Sequence, residues 1–237
     1  MNVRLQHVTI TAIPNHVAVV PNGNRRGSRI SDISLEEAYL LGAARALEVV
    51  HSAKDMGVKH VSFFGLSVEN LNNRSTEEID ALMEGALNFC DEAMDLGFTL
   101  HPFGFIDEFA GVEKYEPLYR RLKRLREDYE PSDQFTIHVA ANYSGKAQHE
   151  LRPLFEALYN EFPVAQRDPM KYILSGGVPD VDLFIRTGGE QRTSGLLPFQ
   201  SSYAELYFTP TFWPDFTAEK FQEAVKWFGS QPRNFGR

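Results

Sequence analysis

The chain has 237 residues, 43% of them hydrophobic and 24% charged, and its formal net charge is −8. These values predict a single domain over residues 1–237 with a full hydrophobic core, and the acidic balance excludes a general nucleic-acid-binding protein. The single cysteine, Cys90, excludes an internal disulfide framework and lies in an apolar helical pattern, where we expect it to be buried. No apolar run reaches membrane-spanning length, so we expect a cytoplasmic protein without stable membrane insertion.

Short apolar runs alternate with helical patterns along the chain. The runs that predict strands are 17–20, 58–66, 98–105, 134–145, 180–189 and 202–209. The segments that predict helices are 34–57, 75–97, 115–129, 146–162 with a break at Pro153, and 217–229. Two of the helices open with Ser-x-x-Glu capping boxes, Ser34 with Glu37 and Ser75 with Glu78. This alternation predicts the α/β class, with a mostly parallel sheet covered by helices on both faces.

Two arginine-rich loops follow predicted strands, where parallel sheets bind their ligands. The first is 21–27 (PNGNRRG), and the second surrounds Gly188 with Arg186, Arg192 and Ser194. Arginine suits a diphosphate because its planar guanidinium makes paired, charge-assisted hydrogen bonds. Taken singly, each loop is better explained by solvated arginines or, in the second loop, by ion pairs with Glu190 and Asp182. Two such loops at one sheet edge predict an anion site, and no nucleotide-binding motif accompanies them.

Other candidate residues have two interpretations each. Glu205 lies in an apolar strand, where it binds a metal or a cation or else faces solvent from an edge strand. Asn70 and Asn142 serve the site or simply form turns. The seven histidines show no metal-ligand spacing, and His16, His60 and His138, which lie in or beside strands, are predicted to be packed or hydrogen-bonded. The phenylalanines of the second and third strands form core or the wall of a short cleft for an isoprenoid diphosphate: Phe63, Phe64, Phe103 and Phe105.

Several segments in order resemble the cis-prenyltransferase family, the undecaprenyl diphosphate synthase-like enzymes. They are HVAVVPNGNRR, SVENLNNRSTEEIDALM, HVAANYSGK and VDLFIRTGGEQRTSGLLPFQSSYAELYFTPTFWPDF, and the resemblance covers nearly the whole chain. The resemblance implies a homodimer, a six-stranded parallel sheet and a tunnel that binds isoprenoid diphosphates. It also implies Mg²⁺, which we expect to be bound mainly through the substrate diphosphate.

The resemblance further implies roles for individual residues. The catalytic positions are Asn22, Asn24, Asn70 and Arg74, of which Asn70 and Arg74 lie near the reacting carbons. The substrate-binding positions are Gly23, Arg25, Arg26, Tyr39, Phe63, Leu71, Arg186, Arg192 and Ser194. The first loop would receive the allylic diphosphate and the second loop the other diphosphate. Glu205 matches a residue associated with the metal.

Several positions depart from the family pattern, and these departures bear on the metal ligands and on the type of reaction. Asn22 replaces an aspartate, Tyr39 and Gln191 replace histidines, Leu71 replaces a tryptophan, and Lys146 replaces an arginine. Carboxylate and imidazole positions have changed while most arginines remain, which predicts a diphosphate site with weakened metal ligands.

An asparagine at position 22 resembles the irregular lavandulyl and cyclolavandulyl diphosphate synthases, which join two allylic units head to middle. We therefore predict an irregular synthase that condenses dimethylallyl diphosphate with dimethylallyl or geranyl diphosphate to a branched or cyclised C10 or C15 product. The alternatives are a regular short-chain cis-prenyltransferase that uses isopentenyl diphosphate, and a non-catalytic subunit of a heteromeric enzyme.

Overall fold

A six-stranded sheet organises the computed structural model, which describes residues 12–131, 133–160 and 168–232. The strands are β1 (His16–Val20), β2 (His60–Phe64), β3 (Thr99–Phe103), β4 (Thr136–Ala140), β5 (Leu183–Arg186) and β6 (Glu205–Phe208). They are all parallel and lie in the order β3-β4-β2-β1-β5-β6. All six predicted strands are confirmed, and so is the α/β class.

The described residues form eight α-helices. They are α1 (Asn24–Ser31), α2 (Leu35–Asp55), α3 (Val68–Asn73), α4 (Thr76–Asp95), α5 (Glu116–Glu127), α6 (Ala147–Glu150), α7 (Arg152–Tyr159) and α8 (Ala218–Gly229). The predicted helices are confirmed, including the break beside Pro153, where α6 ends and α7 begins. Residues 161–162 of that prediction lie outside the described residues. Sequence reasoning missed α1 and α3, which it assigned to loops.

Hydrophobic cores cover both faces of the sheet because successive strand residues point to opposite sides. Val17 and Val19 of β1 belong to a core with α2, α4 and α8, whereas Ala18 and Val20 belong to a second core. Cys90 is buried in the first core, as predicted. No helix in the described part of the chain is long and apolar enough to span a membrane.

The four phenylalanines do not form one wall, and their interpretation as core residues is confirmed for Phe63 and Phe103. Strand β4 separates β2 from β3, and Phe103 of β3 lies in the second core, while Phe63 of β2 lies in the first. The strand order, which local patterns do not encode, decides this arrangement.

Candidate active site

A cavity of about 580 Å³ opens at the carboxyl ends of β1, β2 and β5, between the sheet and helices α2 and α4. Its inner wall is apolar and includes Phe63, Leu82, Phe89, Val139 and Trp213. Its polar residues come from the strand ends and from the helix starts next to them. The cavity therefore lies at the edge of the sheet where the arginine-rich loops were predicted to bind an anion.

Twelve of the fourteen predicted site residues line this cavity. They are Asn22, Gly23, Asn24, Arg25, Arg26, Tyr39, Phe63, Asn70, Arg74, Arg186, Arg192 and Ser194. The two that do not are Leu71 and Glu205. Leu71 is half-buried on α3 and packs against the first core.

Glu205 lies away from the cavity. It starts the edge strand β6 and pairs with Leu183, the first residue of β5, whereas the cavity is at the other end of that strand, at Arg186. Glu205 does not line the cavity, and its association with a metal, which the family resemblance implies, stays a prediction. Strand β6 is an edge strand, as the alternative interpretation assumed, and Glu205 is half-buried on it.

The arginines of the first loop belong to a helix that begins at the end of β1. Gly23 precedes α1 with a φ of +114°, and a Cβ there would lie 2.8 Å from the Phe212 ring. Helix α1 has no side-chain cap and no acidic residue in its first turn. Its first backbone N–H groups and the positive end of its dipole are therefore available to an anion in the cavity.

A carboxylate, Glu190, stands at the mouth of the cavity and joins the two predicted loops. Its side chain accepts hydrogen bonds from the Asn22 amide and from Arg26 Nη2, the latter at 3.0 Å. Gly188 has a φ of +85°, and a Cβ there would lie 2.8 Å from Arg26 Nη2. Glu190 therefore pairs with Arg26 of the first loop, whereas the sequence suggests pairing with the arginines of the second loop. Asp182 instead accepts from backbone N–H groups at the start of β1.

Arg186 is the most enclosed arginine of the site, with 5% of its surface exposed. Its Nη1 donates to the backbone oxygen of Arg192 at 2.8 Å and to Ser194 Oγ at 2.6 Å, and its buried Nε has no partner. Burial, and then the charge of Arg192, lower the pKa of Arg186. No acidic side chain among the described residues hydrogen-bonds to it. A buried guanidinium of this kind is suited to bind an anion.

A second carboxylate, Glu78, lies inside the cavity wall at the start of α4. It accepts a hydrogen bond from Tyr39 at 3.1 Å and forms ion pairs with Arg25 at 3.2 Å and Arg74 at 3.4 Å. Arg74 also donates to the Tyr39 hydroxyl at 2.8 Å. Burial raises the pKa of Tyr39 to about 12, so the phenol stays protonated near neutral pH.

Positive charge dominates the cavity although the whole chain is acidic. Five arginines and three glutamates line it: Arg25, Arg26, Arg74, Arg186 and Arg192, with Glu69, Glu78 and Glu190. Sequence reasoning did not assign Glu69 or Glu78 to the site. A signal for Glu78 was present in the sequence, but its Ser-x-x-Glu spacing favoured a helix cap.

Asn142 and the clustered histidines do not line the cavity, and their contacts support the fold. Asn142 has a φ of +50° and donates to Glu108 at 2.9 Å, as a turn residue does. His138 lies between His60 and His101, at nitrogen–nitrogen distances of 3.2 and 2.9 Å. The prediction that His60 and His138 are packed or hydrogen-bonded is confirmed, His101 joins them, and none of the three lines the cavity.

Comparison of the sequence with known protein families identifies the family of this chain. The family described as "Putative undecaprenyl diphosphate synthase" matches residues 20–236. The chain belongs to this family. It is a prenyltransferase, and the prediction that the protein is an enzyme is confirmed.

Relatives match this cis-prenyltransferase over most of its length. Isoprenyl transferase 1 of Streptomyces coelicolor is 33% identical over 94% of this chain and 82% of its own. Isoprenyl transferase of Aquifex aeolicus is 31% identical over 95% of this chain and 96% of its own. The crystal structure of lavandulyl diphosphate synthase from Lavandula x intermedia, in complex with dimethylallyl diphosphate, matches with a TM-score of 0.79. It is 23% identical and covers 96% of this chain and 99% of that chain, which supports the shared fold.

Proposed function

We propose that this prenyltransferase is a short-chain synthase, which joins an allylic isoprenoid diphosphate to a second isoprenoid diphosphate inside the cavity. The observation that carries the proposal is the combination of a cationic mouth with an apolar interior of limited size. A volume of 580 Å³ lies within the range of about 300–1,000 Å³ that is typical for small-molecule ligands. The cavity therefore suits a product of a few isoprene units.

Helix α4 supports a short product. The residues of α4 that line the cavity share one helical face: Glu78, Leu82, Gly85, Ala86 and Phe89. The first and last of these are about 16 Å apart along the axis at 1.5 Å per residue. Phe89 ends this face, and its ring contacts Phe63 edge-on at a centroid distance of 5.7 Å. Phe89 would therefore stop a growing chain.

Bond making needs few protein groups. The C1–O bond of the allylic donor breaks, C1 bonds to a double-bond carbon of the acceptor, and the acceptor loses a proton. The N-terminus of α1 with Arg25 and Arg26 would bind the leaving diphosphate, and Arg186, Arg192 and Ser194 would bind the other. No histidine occurs among the described residues that line the cavity, so we propose the released diphosphate as the base.

Magnesium fits this cavity as an ion that arrives with a diphosphate. No group of three or more His, Cys, Asp or Glu in the described ranges is arranged to hold a metal. Mg²⁺ in phosphate-transfer sites typically binds one or two carboxylates together with substrate oxygens and water. We propose Glu190 as the protein carboxylate. The bound ion would neutralise charge on the leaving diphosphate.

The sequence relatives favour regular chain elongation with isopentenyl diphosphate, and this is the reaction that we propose first. One observation favours the head-to-middle reaction as a second candidate: an amide, not a carboxylate, faces Glu190 at position 22. In that reaction C1 of the donor bonds to C2 of dimethylallyl diphosphate.

Product analysis tests the proposal and separates the two reactions. The purified protein is incubated with Mg²⁺ and dimethylallyl diphosphate alone, and in parallel with added isopentenyl or geranyl diphosphate. Dephosphorylated products are identified by gas chromatography–mass spectrometry. A linear Z-prenol that requires isopentenyl diphosphate supports elongation, and a branched alcohol formed without it supports the second reaction. The absence of product from every pair would overturn the proposal.

The homodimer that the family resemblance implies stays a proposal. No residue of helix α7 is buried, and two of its aromatic residues are largely exposed, Phe155 at 62% and Tyr159 at 88%. Such apolar exposure suits a contact between two copies of the chain. Light scattering of the purified protein would measure its mass in solution.

A further inference from the structure

Glu78 occupies a helix-cap position but does not act as a cap. In the capping box of α2, the Ser34 side chain accepts from the Glu37 N–H, and the Glu37 carboxylate accepts from the Ser34 N–H at 2.9 Å. In α4 only the first of these two hydrogen bonds is present: the Glu78 N–H donates to Ser75 Oγ at 3.3 Å. The Glu78 carboxylate points instead into the cavity wall.

The Glu78 carboxylate is almost fully enclosed, with 5% of the side chain exposed, and its oxygens are shared among three cavity groups. Oε1 faces the Tyr39 hydroxyl and Arg74, and Oε2 faces Arg25. A buried carboxylate is costly unless such partners compensate it. Arg25 belongs to α1, Tyr39 belongs to α2, and Arg74 lies in the turn between α3 and α4. Glu78 therefore links α1, α2 and this turn to the start of α4 at the cavity.

We propose that Glu78 is a positioning residue, which holds Arg25, Arg74 and Tyr39 in the arrangement that receives a substrate diphosphate. This inference rests on the proposed binding of prenyl diphosphates in the cavity, but not on which condensation follows. Two guanidinium groups share one carboxylate, so the cluster keeps a net positive charge. Without Glu78, two long cationic side chains would repel each other and sample many rotamers.

Tyr39 completes the arrangement by linking Arg74 to Glu78. Its hydroxyl accepts from Arg74 Nη1 at 2.8 Å and donates to Glu78 Oε1 at 3.1 Å. The backbone oxygen of Tyr39 would lie 3.0 Å from a Cβ at Gly85 of α4, so α2 and α4 approach closely next to this residue. Glycine at position 85 thus lets the Tyr39 hydroxyl reach the start of α4.

The test compares Glu78→Gln with a matched control, Glu37→Gln, in the full chain. Glu37 has the same helix-cap position on α2 but is exposed and outside the cavity. Calorimetry measures the affinity for inorganic diphosphate, which needs no turnover, and steady-state kinetics measure kcat and KM with whichever substrate pair the wild type uses. Thermal unfolding checks that each variant is folded. Failure of the proposed function would appear as no turnover in the wild type, with diphosphate binding still measurable.

For Glu78→Gln we expect diphosphate affinity to fall by about 10- to 100-fold and KM to rise by a similar factor. Glu37→Gln should lower the melting temperature and leave both constants unchanged. Tyr39→Phe, which removes one hydroxyl, should weaken diphosphate binding by about 2- to 10-fold, and Glu78→Asp should restore part of the affinity.

If the arginines merely use Glu78 as a substitute for the substrate anion, Glu78→Gln will bind diphosphate more tightly. That result, or unchanged affinity in a folded Glu78→Gln and in Tyr39→Phe, would overturn the proposal.

Discussion

Asn22 and Glu190 are 168 residues apart in the chain, and their side chains form a hydrogen bond at the mouth of the cavity. The Asn22 amide donates to the same carboxylate oxygen that accepts from Arg26. An aspartate at position 22 would face that oxygen with a second negative charge. The residue at position 22 therefore decides whether a metal at the mouth of the cavity could bind one carboxylate, that of Glu190, or two.

Replacing Asn22 by Asp should lower the melting temperature in the absence of metal, because it loses a hydrogen bond and adds like-charge repulsion. We expect a loss of about 1–3 kcal/mol in the free energy of unfolding. Mg²⁺ should restore more stability to Asn22→Asp than to the wild type, because two carboxylates form a better site for the ion.

The control for this change is Asn88→Asp. Asn88 also donates to a glutamate, Glu92, at 2.8 Å, but it lies on α4 outside the cavity. Thermal unfolding with and without Mg²⁺ compares the two variants. An equal Mg²⁺ response in both would contradict the role of position 22. If the wild type performs the head-to-middle reaction, Asn22→Asp should also increase the use of isopentenyl diphosphate.

Arg186→Lys should raise KM for a diphosphate substrate by at least about 10-fold, because an ammonium cannot keep the forked contacts of the guanidinium. Arg186 Nη1 binds Ser194 and the Arg192 backbone, so the second loop should also lose order. Arg29→Lys is the control, since Arg29 is exposed on α1 and does not line the cavity. Initial-rate kinetics measure both, and similar KM values would argue against the proposed diphosphate site.

Phe89→Ala should lengthen the product by opening the apolar end of the cavity beyond α4. The change removes a buried ring, so we expect a cost of about 3–5 kcal/mol in the free energy of unfolding. Phe98→Ala is the matched control, because Phe98 belongs to the same core but not to the cavity. Mass spectrometry of the dephosphorylated products compares their lengths. Longer products from both variants, or from neither, would contradict the stopping role of Phe89.

The stability of the protein should fall as the pH drops from about 6.5 towards 4. Burial lowers the pKa of His16 to about 4 and that of His101 to about 4, and it also lowers the pKa of His138 well below its usual value. These imidazoles stay neutral in the folded chain while they take up protons in the unfolded chain. We expect a loss of about 1–2 kcal/mol per histidine between pH 7 and pH 5.

Urea unfolding at several pH values measures this loss. His101→Gln should reduce the difference between pH 7 and pH 5, because it removes one of the lowered pKa values. His51→Gln, which changes an exposed histidine outside the cluster, should leave the difference as it is in the wild type. A pH dependence that is the same in both variants would show that the cluster is not its source.

Local sequence patterns determined the six strands, the longer helices and the position of the arginine-rich loops. These features depend on residues a few positions apart, through apolar periodicity, capping spacing and turn-forming residues. Motifs in order along the chain were likewise sufficient to indicate the family. The burial of Cys90 also followed from the helical pattern around it.

Tertiary structure alone decided which carboxylates line the cavity. Glu78 carries a cap spacing, but its carboxylate turns to Arg25, which comes from another helix. Glu205 carries a family motif, yet the parallel register places it at the opposite end of β5 from the cavity. Glu190 meets Asn22 only because the ends of β1 and β5 are neighbours in the sheet. Periodicity describes contacts within an element, whereas these pairings depend on strand order and on which helices pack together, so only the folded chain specifies them.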